Sequence, residues 1–82
     1  MMKLRYAGAS FGVDGLTGGN VYECLGIDGG MLRVVDDSGE DYLYSVLNPG
    51  PGDGSVKGGR WELVEDDEKG TLADLFSRVK NP

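Results

Sequence analysis

The chain has no histidine and a single cysteine among its 82 residues. Zinc sites need several imidazoles or thiolates, so the usual ones are excluded. Nucleophilic Ser–His and Cys–His pairs are excluded with them. Cys24 has no partner for an internal disulfide, the common staple of small secreted domains. Its expected inward position and acidic neighbours raise its pKa and mark it as a structural thiol. Apolar runs are short: none approaches the ~18 residues of a membrane span. The opening Met1-Met2-Lys3-Leu4-Arg5-Tyr6 has no apolar region of a secretory leader. Together these features predict a cytoplasmic protein with no membrane partner.

Proline is scarce and basic residues are few. Three prolines against 15 glycines exclude collagen and polyproline segments and point to tight turns at positive φ. Eight Lys and Arg stand against 14 Asp and Glu, giving a net charge of −6. Such a surface repels phosphate backbones, so no nucleic-acid partner is expected. The charge supports solubility; its sharper meaning is attraction of a basic partner or mimicry of a nucleic acid's charge.

What remains is a pattern of short strands. Lys3–Tyr6 alternates polar and apolar residues. Ala7–Asn20 is glycine-rich and reads as a long loop that Phe11, Val13 and Leu16 pin to the core. Val21–Ile27 is β-prone, with Tyr22 and Cys24 inward and a bulge at Gly26. Asp28-Gly29-Gly30 is a hairpin turn. Met31–Val35 returns with Leu32 and Val34 inward and Arg33 outward. A second turn, Asp36–Glu40, leads into Asp41–Tyr44, where an inward Leu43 places Tyr42 and Tyr44 on the outer face. Ser45–Leu47 reads as a short helical turn, Gly50–Gly59 as a second glycine-rich loop, and Arg60–Val64 as a last strand with Trp61 and Leu63 on one face. Thr71 is the expected N-cap of a short helix, with Asp74 completing an approximate capping box. Leu72, Leu75, Phe76 and Val79 then form one apolar stripe.

Three motifs fall short of the chemistry they suggest. In Gly50–Gly59, Lys57 does not follow a glycine and no Ser or Thr follows it, so the loop is no phosphate cradle. A calcium loop counted from Asp36 needs glycine at its sixth position and glutamate at its twelfth; Asp41 and Leu47 stand there. The carboxylates lie in turns and in the run Glu65–Glu68, where solvation keeps their pKa values ordinary. No enzyme, cofactor or metal is expected.

The order of these signals resembles an SH3-like barrel. Leu16-Thr17-x-Gly19-x-Val21-Tyr22-Glu23, Val35–Tyr44 and Trp61-Glu62-Leu63-Val64-Glu65 are similar to stretches of small uncharacterised SH3-like proteins of Gram-positive bacteria and their phages. The resemblance implies a mainly β fold: a small five-stranded SH3-like barrel over residues 1–66, with an amphipathic C-terminal helix at 67–82 appended in the same single domain. The aromatics of proline-motif recognition are missing, since Arg5, Ala7 and Met31-Leu32 occupy their places. The expected role is therefore a non-enzymatic protein-interaction module. Its candidate surface is Tyr42, Tyr44 and Trp61 with the acidic rim Asp36, Asp37, Glu40 and Asp41. Two alternatives accompany it: an acidic phage-type inhibitor, and a structural domain self-associating through the helix stripe. A monomer is the expected state.

Overall fold

The computed structural model describes residues 1–50 and 59–79; the glycine-rich stretch 51–58 and the last three residues of the C-terminal extension lie outside the described residues. Five strands, β1 (Met2–Ala7), β2 (Val21–Asp28), β3 (Met31–Val35), β4 (Asp41–Tyr44) and β5 (Arg60–Glu65), precede one helix, α1 (Thr71–Val79). They form a single antiparallel sheet in the order β4-β3-β2-β1-β5.

Alternation decides which side chains form the core. Leu4 and Tyr6 on β1, Tyr22 and Cys24 on β2, and Leu32 and Val34 on β3 all point to one face and are buried. The β2–β3 register slips between Cys24 and Gly26, at the expected bulge. The slip absorbs Leu25, which is exposed, and lets Ile27 face Leu32. On the opposite face, Arg33 forks between Asp28 and Asp41 at 2.8 Å each.

The parity of β4 is the reverse of the sequence reading. Residues directly opposite in an antiparallel pair share a face. Val34 is opposite Tyr42 and Leu32 opposite Tyr44, whereas Leu43 is opposite the outward Arg33. Both tyrosines therefore lie on the core side, and Leu43 is 42% exposed on the outer face. Other expectations also shift. Val13 is 97% exposed, so of the three expected loop anchors only Phe11 and Leu16 pack on the core, joined to each other by a β-bridge. Ser45–Leu47 forms bends instead of a helical turn, with Val46 buried. Leu63 shares the Trp61 face but is half-exposed.

The ladder does not close: β4 and β5 are not paired among the described residues. They meet through side chains instead. Trp61 Nε1 donates to the Ser45 carbonyl at 3.0 Å, and the rings of Tyr44 and Trp61 pack edge-on at 6.2 Å.

The helix buries Leu72 and Leu75 in the same core, with Phe76 and Val79 packed against it. Its N-terminus is capped from a distance. Asp66 accepts from the amides of Leu72 (2.9 Å) and Ala73 (3.0 Å). Asp67 accepts from the Thr71 amide at 2.9 Å and from the Thr71 hydroxyl. These two carboxylates satisfy the free amides of the first turn, the role the sequence assigns to Thr71. Asp74 instead pairs with Arg78 one turn on, at 3.0 Å. The apolar stripe is thus largely occupied within the chain.

Candidate functional site

The candidate residues divide between the interior and the surface. A row of four rings runs through the core edge: Phe11 packs on Tyr6 (5.8 Å), Tyr6 on Trp61 (5.9 Å), and Trp61 on Tyr44 (6.2 Å), all edge-on. Edge-to-face contacts suit the ring quadrupole and hold each ring in a fixed orientation. Trp61, 8% exposed and bonded to Ser45, belongs to this interior row and not to the surface.

Phe11 and Tyr44, the two ends of the row, reach the surface at a shared groove of about 430 Å³. Tyr42, Leu43, Met31 and Pro49 line it too, with Ser45, Asn48 and Gly50. Tyr42 is 52% exposed although it lies on the core side, because β4 is the outermost strand and no further strand covers it among the described residues. No charged side chain lines the groove among the described residues.

The acidic residues beside it do two different things. Asp36 is 7% exposed, which corrects its expected place in a solvated rim. Its carboxylate accepts from the Ser38 amide (2.9 Å), the Ser38 hydroxyl and the Tyr44 hydroxyl (2.6 Å). Burial pushes its pKa up, but the Ser38 and Tyr44 hydrogen bonds outweigh burial and hold it below the ordinary 3.8. Tyr44 moves the other way: burial, then its bond to the Asp36 carboxylate, raise its pKa far above 10.0. Tyr44 is a fixed wall of the groove, locked by Asp36 behind it.

Asp37 is exposed yet engaged. It accepts from the Tyr22 hydroxyl at 2.7 Å and the Thr17 hydroxyl at 2.8 Å. The Tyr22 hydroxyl also accepts from the Thr17 amide at 2.7 Å, and the Asp37 amide donates to the Gly15 carbonyl at 3.0 Å. These four bonds clamp the 8–20 loop onto the 36–40 turn. Burial, reinforced by Asp37, raises the Tyr22 pKa. Asp41 pairs with Arg33, whose guanidinium lowers the Asp41 pKa. Glu40 is exposed at the end of the turn.

The structure therefore joins Tyr44, Trp61 and Asp36 as one buried unit. It leaves Tyr42, Asp37, Glu40 and Asp41 as the exposed members of the expected surface. Sequence reasoning missed Phe11 as a groove wall and Pro49 beside it. The available signal for Phe11 was that it is the one aromatic in the Ala7–Asn20 loop.

A larger hollow of about 580 Å³ lies between Met1 and Glu65–Lys69. Asp66 and Asp67 aim their oxygens at helix amides there, so it is a cap and not a receptor. Among the described residues no group of three or more Asp, Glu or Cys is placed to hold a metal, and no helix is long and apolar enough to cross a membrane. The Cys24 thiol is buried, and burial raises its pKa. Comparison with family models, curated proteins and solved structures finds no match to this chain.

Proposed function

We propose that this chain is a non-enzymatic protein-interaction module built as an SH3-like barrel, with the Phe11–Tyr42–Tyr44–Pro49 groove as its contact surface. The strand order and the Trp61 bridge between β4 and β5 support the barrel reading. The observation that carries the functional reading is the groove itself. Tyr42, half exposed, lines a hollow with no charged wall among the described residues, beside Tyr44, which a hydrogen bond to buried Asp36 holds in place. Rigid aromatic walls lose little conformational entropy on binding, which favours interface hot spots.

Affinity capture with quantitative mass spectrometry tests the reading. Tyr42→Ala is expected to lose the specific partner while the circular dichroism spectrum and melting temperature stay near those of the parent. Arg5→Ala, on the outer face of β1, should retain it. Equal capture by the parent and a folded Tyr42→Ala protein would rule the groove out. Tyr44 is unsuitable for this test, because removing it unsatisfies Asp36.

A further inference from the structure

We propose that the partner segment binds this groove as an added β-strand on the edge of β4 that no strand pairs among the described residues, in an extended conformation that alternates apolar and basic residues. The inference rests on the groove reading and specifies its occupant.

The backbone pattern sets the geometry. The Asp36 amide donates to the Glu40 carbonyl at 3.2 Å, which makes Asp36 and Glu40 a hydrogen-bonded pair. Such pairs alternate along an antiparallel ladder, so Val34–Tyr42 and Leu32–Tyr44 are bonded pairs as well. The N–H and C=O groups of Asp41 and Leu43 then point away from β3, along the open edge. No bond to either residue's main chain comes from elsewhere among the described residues. An edge of this kind is a template for an extended backbone.

Side-chain alternation sets the composition. In a strand laid on this edge, every second residue points to the Tyr42–Tyr44 face, where Phe11 and Pro49 form an uncharged hollow that takes apolar groups. The intervening residues point with Leu43 and Asp41, on the outer face that also carries Asp28 and Arg33. Two carboxylates, Asp28 and Asp41, share the single guanidinium of Arg33 there, so that face keeps a net negative charge in a chain of net charge −6. Lys or Arg is the complementary choice there. The same charge opposes a second copy as the occupant, because two chains of −6 would meet edge to edge.

Random linear peptides displayed on phage, selected against the full chain, provide the probe. The selected peptides are expected to alternate apolar residues with Lys or Arg and to bind more weakly as salt rises. Backbone N-methylation should cost about tenfold in affinity at alternate positions only. Leu43→Pro removes the one outward amide at the centre of β4 without touching the bonds to β3, and should cost a similar factor. If that variant does not fold, the N-methyl series decides the matter alone. Peptides that need Tyr42 but tolerate both N-methylation and Leu43→Pro, or that are proline-rich, would overturn strand addition and leave the groove reading standing. Selected peptides that ignore Tyr42→Ala would remove both. A concentration-dependent dimer lost in Leu43→Pro would assign the edge to a second copy and overturn the proposal.

Discussion

At the scale of single residues, Tyr44 and Asp36 show how a surface candidate becomes a structural one. A buried carboxylate is tolerated only when its lone pairs are filled, and Tyr44 and Ser38 fill those of Asp36. Tyr44→Phe keeps the ring contact with Trp61 and removes one donor, so a loss of about 1–2 kcal/mol in urea unfolding is expected. Gly18 is a second sensitive position. A Cβ there would lie 2.2 Å from the Gly8 carbonyl oxygen, which is backbone and cannot swing aside. Gly18→Ala should therefore destabilise by about 1–3 kcal/mol, read as a lower denaturation midpoint. Gly39→Ala also strains the chain, for a different reason: φ there is 83° and the space around it is open.

At the scale of elements, α1 depends on carboxylates that precede it by several residues. Asp66→Ala exposes the Leu72 and Ala73 amides and should lower the melting temperature by several degrees; Asp66→Asn, which keeps one acceptor, should recover part of the loss. Differential scanning calorimetry of the two variants checks this. The helix stripe was legible in the sequence because Leu72, Leu75, Phe76 and Val79 repeat with the helical period. The cap was not, because Asp66 reaches over the Asp67–Gly70 turn and no local box describes it. The central hairpin was equally legible through Leu32-Arg33-Val34. The orientation of β4 was misread because one leucine between two tyrosines looks like the buried residue. The turn held the better signal. Its closing pair, Asp36–Glu40, fixes Tyr42 opposite Val34, so an inward Val34 requires an inward Tyr42. Which tyrosine end stays wet depends on how far β4 lies from the middle of the sheet, and no short stretch of sequence carries that information.

At the scale of the whole molecule, the titrating groups limit stability from both sides of neutrality. Asp36 and Asp66 have folded pKa values below 3.8 because accepted hydrogen bonds outweigh burial; at Asp67 the Thr71 hydroxyl lowers the pKa directly. Their contribution is complete above the unfolded value and is lost as pH falls through the folded values. Tyr6, Tyr22 and Tyr44 have folded pKa values above 10.0, raised first by burial. Their contribution is complete below the unfolded value and is lost as pH rises beyond it. Stability should be flat through neutrality, with no histidine to perturb it. It should fall below about pH 4 and, from about pH 9 where the unfolded Cys24 thiol ionises first, again on the alkaline side, a profile that urea midpoints across pH would trace. Tyr44→Phe should soften both limits, since it removes one phenol and one bond to Asp36.

The bonds that join Thr17 and Tyr22 to Asp37 tie together two parts of the chain that no ladder connects. Neither can fray alone: lifting the glycine-rich loop breaks the hairpin's tether, and opening the hairpin releases the loop. In deuterated solvent the Thr17 and Asp37 amides should therefore exchange at one common rate, as a single cooperative unit.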